Sequence, residues 1–155
     1  GAVSFEVKDF DRALNCYQLV AQRAPEFADT YFKMGIVFGH KGDLIAATAS
    51  FQKTLDINPD HAQAHNSIGI MQLKSGELDA AFASASNALR LVPDYAEAHH
   101  NMSYVLLACQ NFELGFKLSE WRWKTEERVS SFLQTPAPMW DGEKNKCIFV
   151  LICIY

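Results

Sequence analysis

Along most of the chain the apolar residues recur at alternating steps of three and four: Phe10, Ala13 and Tyr17; Leu44, Ala47 and Phe51; Leu78, Ala81 and Ala85. That is the period of a helix with one buried face. The pattern predicts helices at about 9–23, 28–40, 44–57, 62–74, 78–91, 96–109 and 112–128, with residues 1–6 as the stub of an earlier helix. Gly42-Asp43 and Gly76-Glu77 interrupt the pattern as tight turns, because glycine reaches left-handed backbone angles cheaply. Pro59 and Pro93 follow the second helix of each pair and stop it from continuing.

The interruptions themselves recur. Pro25, Pro59 and Pro93 lie 34 residues apart. The same step links Ala13, Ala47, Ala81 and Gly115; Phe10, Leu44, Leu78 and Phe112; Met34, Ile68 and Met102; and Tyr31, His65 and His99. Small residues such as Gly35 and Ala47 let the two helices of a pair approach closely, and large ones such as Met34, Leu44 and Phe51 fill the space between pairs. One pair cannot bury its apolar face, whereas three or more stacked pairs can.

The 34-residue period, the Gly/Ala/Pro skeleton and the Asn58-Pro59-Asp60 and Val92-Pro93-Asp94 linkers resemble the tetratricopeptide repeat. The resemblance implies an all-α fold, a right-handed superhelical stack of helical hairpins with an extended C-terminal tail. It divides residues 1–133 into a partial repeat at 1–27 and repeats at 28–61, 62–95 and 96–127. It also implies a peptide-binding concave face formed by the first helix of each hairpin. By family analogy that face takes Asp29, Phe32, Ile36, Gly39 and His40; Gln63, Asn66, Ile70, Leu73 and Lys74; and Glu97, His100, Tyr104, Leu107 and Ala108. A clamp for a double carboxylate would need several cations there, and only Lys74 fits. The asparagine ladder of the related O-linked N-acetylglucosamine transferase repeats would fall on Lys33, Ser67 and Asn101, of which Asn101 alone matches.

Beyond Leu133 the pattern stops. Residues 134–146 contain Pro136, Pro138 and the turn-forming Asp141-Gly142, and read as a linker. Residues 147–155 are an unbroken apolar run, too short for a membrane helix and rich in strand formers. Glu120-Trp121-Arg122-Trp123, then Pro138-Met139-Trp140-Asp141-Gly142-Glu143, then this run, resemble the junction of bacterial proteins that join tetratricopeptide repeats to a glycosyltransferase-like domain. In that family the run is the first strand of a nucleotide-sugar-binding fold. The expectation is therefore a truncated chain, with the tail the remnant of a missing domain. The resemblance implies two roles: a protein- or peptide-binding scaffold that is no enzyme in itself, or the substrate-recognition arm of a sugar-transfer enzyme. The tail could pack into the concave groove of its own chain or of a second copy, or pair with a second copy as a homodimer.

Composition narrows the partners. A formal net charge of -4 leaves no basic excess to neutralise phosphates, so no nucleic-acid partner is expected. No apolar run reaches the ~18 residues that span a bilayer, and the first residues show no signal-peptide pattern; the expected place is the cytoplasm, with no membrane partner. Cys16, Cys109, Cys147 and Cys153 form no metal-binding pattern, and free thiols are expected. His65 and His99 stand one hairpin apart, roughly 10 Å given usual helix spacing, too far to share an ion; they read as packing residues, with no metal and no cofactor. Trp121, Trp123 and Trp140 read as a cap on the last hairpin. Asp9, Asp11 and Asp43 read as residues near helix starts, where a carboxylate accepts orphan backbone N–H groups. Glu126-Glu127 and Asp141 with Glu143 have no nucleophile or oxyanion donor beside them, so no catalytic residue is expected.

Overall fold

Within each hairpin the chain reverses direction at a residue that accepts a positive φ. A computed structural model describes residues 3–124, with side chains from Phe10 onward. Gly42 and Gly76 sit at φ +79° and +80°, the left-handed region that a Cβ makes costly. The helices so delimited are α1 (Val3–Arg23), α2 (Ala28–His40), α3 (Leu44–Ile57), α4 (Ala62–Lys74), α5 (Leu78–Leu91), α6 (Ala96–Ala108) and α7 (Phe112–Ser119), followed by a 3-10 turn at Glu120–Lys124. No strand occurs among the described residues. Helices α2 to α6 fall within a residue of the ranges read from the periodicity.

The two end helices depart from those ranges. Helix α1 is continuous from Val3, not a stub followed by a second helix starting near residue 9. The reason is the turn residue: the place held by Gly42 and Gly76 is Lys8 one repeat earlier, and the helix runs through it. Asp9 and Asp11 consequently lie inside α1, and the Asp11 carboxylate accepts from Lys41 Nζ at 2.6 Å. Asp43 does cap, accepting from the Ala46 N–H at 3.0 Å. Helix α7 ends at Ser119 and tightens into the 3-10 turn. The rest of its expected range to 128, the linker at 134–146 and the apolar run at 147–155 lie outside the described residues.

The third hairpin turn is made by Gln110 at φ +62°, without a glycine. A side chain there costs about 1–2 kcal/mol relative to ordinary backbone angles. Gln110→Gly is expected to raise stability by about 0.5–1 kcal/mol once the looser unfolded chain is counted. A thermal midpoint that stays put or falls would show that the turn holds no such strain.

Each helix packs on its neighbours in sequence, α2 with α3, α4 with α5 and α6 with α7 as hairpins, then hairpin on hairpin. Ala47 and Ala81 are fully buried at the hairpin contacts. Gly35 goes further: a Cβ there would lie 2.5 Å from Phe51 Cε1. Phe32, Ala47, Phe51, Ala64, Ile68 and Met71 form the central core, drawn from α2, α3 and α4. Helix α1 corresponds to the second helix of a hairpin, and among the described residues no first helix of its own hairpin pairs with it. Val20 is 43% exposed, while Thr54 and Ala88, at the same repeat position, are 0% exposed.

Two histidines tie the linkers down. His65 Nε2–H donates to the Pro59 carbonyl at 2.9 Å, and His99 Nε2–H donates to the Pro93 carbonyl at 2.7 Å. The same repeat position thus makes the same bond twice, which fixes the Nε2–H tautomer in both, since a carbonyl can only accept. His99 also stacks under Trp121 at 4.0 Å and 21°. Lys124 Nζ lies 3.9 Å from the Trp121 ring centroid, a cation–π contact. Trp121 therefore closes the end of the last described hairpin. Cys16 and Cys109 are exposed free thiols.

Candidate peptide groove

The first helices of the hairpins, α2, α4 and α6, carry the residues that the family analogy assigns to ligand contact. Their side chains divide into three sets.

The first set faces a cavity of about 290 Å³ between α2, α3 and α4. Ile36, Gly39 and His40 line it from α2, and Ile70 and Lys74 from α4, beside Gly35, Phe51, Ser67 and Met71. Its floor is apolar and its rim carries the Lys74 ammonium. The His40 ring is held against Phe10 of α1, stacked at 5.8 Å and 7°. Gly35, Phe51, Ser67 and Met71 were not among the residues expected to line the groove. The period-34 skeleton marks Gly35 and Phe51 only as packing residues, because sequence spacing does not show which core side chains also form a cavity floor.

A second set is withdrawn from the surface. Phe32 is 8% exposed and packs in the central core. Its ring lies 5.7 Å from Phe51 and 4.7 Å from His61. His61 reaches it because it is the N-cap of α4, its Nδ1 accepting from the Ala64 N–H at 3.1 Å. Asn66 is 5% exposed; its Oδ1 accepts from Asn101 Nδ2 at 2.9 Å. The two amides bond to each other across α4 and α6 and satisfy a polar contact between repeats, as buried amides must. Leu107 packs inside its own hairpin, its Cδ2 2.7 Å from where a Cβ on Gly115 would lie. Of the residues expected on the ligand face, Phe32 and Asn66 are thus buried and Leu107 is partly buried.

The third set lies toward the linkers. Asp29 and Gln63 line a second, shallower cavity of about 470 Å³ with Asn58, Asp60, His61, Ala62, Val92 and Tyr95. His61 Nε2 stands 3.4 Å from Asp29 Oδ1. Burial, and then the Glu97 carboxylate, push the Tyr95 phenol above its ordinary value, against a hydrogen bond with Asn66 that pulls it down; the hydroxyl stays neutral and hydrogen-bonding. The linker residues of this cavity were not singled out from the sequence, where Asn-Pro-Asp reads only as a turn. Tyr104 is 49% exposed, its ring 4.8 Å from His100. Leu73 is half-buried and Ala108 exposed. Among the described residues no three His, Cys, Asp or Glu side chains are placed to hold a metal, and no helix is long and apolar enough to cross a membrane.

Hairpins of this size, stacked in sequence with one small residue at each close contact and an open face along their first helices, define a helical-repeat scaffold. The tetratricopeptide-repeat family pattern matches residues 28–61. The crystal structure of MamA superposes with a TM-score of 0.68 at 22% identity, over 79% of this chain and 71% of that one. A MamA RS-1 double mutant gives 0.66 at 21%, over 76% and 66%. A Thermobaculum terrenum O-GlcNAc transferase mutant gives 0.60 at 26%, over 63% of this chain and 19% of the transferase. A search of curated proteins finds no match. Residues 28–61 thus carry a tetratricopeptide repeat, and the described helices are stacked as a helical solenoid with the fold of those structures.

Proposed function

We propose that the chain is a scaffold that binds a protein or peptide along the face of α2, α4 and α6. The observation that carries this is the set of ligand-type side chains left accessible on that face. Ile36, Ile70 and Lys74 line a cavity and Tyr104 stands half out of the surface. Core packing accounts for Phe32, Asn66 and Leu107 and leaves these others unused. An extended segment laid along the face would meet apolar contacts in the cavity and polar ones at its rim, the usual make-up of such sites.

The experiment is selection of displayed peptides on the whole chain, followed by titration. Lys74→Ala with Tyr104→Ala is expected to weaken the selected peptides by about tenfold or more, some 1.4 kcal/mol. Ile45→Ala, at a side chain of α3 that is 85% exposed, is expected to leave them unchanged. No selected peptide, or equal binding by all three proteins, would defeat the proposal.

The similarity to a sugar transferase favours a second reading, in which the same face recruits acceptor proteins for such an enzyme. Nothing among the described side chains combines a nucleophile, a base and an oxyanion site. This chain alone is accordingly expected to turn over no nucleotide sugar, and steady turnover by the purified protein would refute that.

A further inference from the structure

One break in the repeat pattern coincides with the cavity. The twelfth position of the three complete repeats holds Gly39, Leu73 and Leu107. In the last hairpin the leucine is used as filler: Leu107 Cγ and Cδ2 lie 2.8 and 2.7 Å from the Cβ place of Gly115, between its helix and the next. At Gly39 there is no filler, and a Cβ built there would meet nothing within 4 Å. Gly35, one helical turn earlier, also lacks a side chain. The Phe51 ring fills the place beside Gly35, nothing fills the one beside Gly39, and both glycines and Phe51 line the 290 Å³ cavity.

Glycine inside a helix is otherwise a disadvantage, since it disfavours the helix relative to alanine or leucine. Gly35 has a packing reason, the contact with Phe51. Gly39 has none: it has an ordinary helical φ and open space around its Cα. What it does provide is a hole with an apolar floor of Ile36, Phe51, Ile70 and Met71. The rim is cationic. Lys74 is exposed, makes no ion pair among the described residues, and no acidic side chain lines the cavity.

We infer that this cavity is a socket for one large apolar side chain of a peptide ligand, flanked in that peptide by carboxylates that face Lys74. The inference rests on the groove reading above and adds to it the chemistry of the anchor. The volume suits a single aromatic or leucine-sized side chain, and is below that of most sites that enclose a whole small molecule. A buried apolar anchor would supply most of the affinity and the Lys74 rim the selection by charge.

The test uses the whole chain and two blocked peptides, acetyl-Glu-Asp-Phe-Asp-Glu-amide and acetyl-Lys-Lys-Phe-Lys-Lys-amide, followed by amide chemical shifts. The acidic peptide is expected to move the amides of Ile36, Ser67, Ile70 and Lys74, and the basic one to move none of them at the same concentration. Gly39→Leu restores the repeat pattern and is expected to abolish those shifts while the thermal midpoint holds or rises, so loss of binding cannot be laid to misfolding. Lys74→Glu is expected to invert the preference between the two peptides. Full binding by Gly39→Leu, shifts confined to other parts of the solenoid, or equal response to both peptides would overturn the socket. So would Gly39→Leu moving the amides of residues 147–155 without any peptide, which would assign the cavity to the chain's own end. If displayed peptides lose affinity with Lys74→Ala and Tyr104→Ala yet keep it with Gly39→Leu, the groove stands and only the socket falls.

Discussion

Phe51→Ala is expected to lower the unfolding free energy by about 3–4 kcal/mol, within the range for deleting a buried phenyl ring. Phe51 is 3% exposed and lies where α2, α3 and α4 meet, tilted against Phe32 at 5.7 Å. Removing it takes away the floor over which α2 is laid. The adjoining glycine supplies an internal check. A Cβ at Gly35 would stand 2.5, 2.6 and 2.9 Å from three atoms of the Phe51 ring, and a ring that buried shifts only by displacing its neighbours. Gly35→Ala alone is expected to cost about 1–2 kcal/mol net, overpacking outweighing the gain in helix propensity of about 1 kcal/mol. In the Phe51→Ala background the same change has room and is expected to stabilise. Denaturant melts of the two single variants and the double variant decide this. Simple additivity would show that Gly35 is not kept small by Phe51.

That pair also shows what sequence spacing can and cannot reveal. The period of 34 identified Gly35 and Phe51 as packing positions and put α2 to α6 within a residue of their ranges, because turns, caps and small contacts all repeat together. It misplaced the start of α1, where periodicity implied a turn but Lys8 offered no residue to make one. It also gave no sign that Phe32 and Asn66 are buried. Both sit at the fifth position of a first helix, which family analogy assigns to the ligand face. The local sequence does not show that His61 folds over Phe32, or that Asn101 is within reach of Asn66. The first contact joins α2 to the N-cap of α4 and the second joins α4 to α6, and both depend on how far one hairpin rotates on the last. The socket at Gly39 was within reach of the sequence in one respect: a glycine replaces leucine at a position otherwise apolar. Whether that leaves a hole or is filled by a neighbour depends on the structure.

Ala47→Leu and Ala81→Leu test the close helix contacts on which the stacking depends, and each is expected to cost about 1–3 kcal/mol through overpacking. Both alanines are fully buried at the equivalent place of successive hairpins. Their surroundings differ, and the larger loss is expected at Ala81. Helix α5 presents Ala81, Ala85 and Ala88, with exposures of 0%, 2% and 0%, so α4 comes in close: the Cβ place of Gly69 is 3.4 Å from the Ala81 carbonyl oxygen. A leucine there meets backbone, which yields only by moving a whole helix. At Ala47 the neighbours Phe32 and Phe51 are side chains that can shift in part. Ala49→Leu, on the exposed side of α3, serves as the control and should leave the melt within about 0.5 kcal/mol of the parent. A loss at Ala81 no greater than at Ala49 would mean that α4 and α5 are not in close backbone contact, and the hairpin packing described above would have to be abandoned.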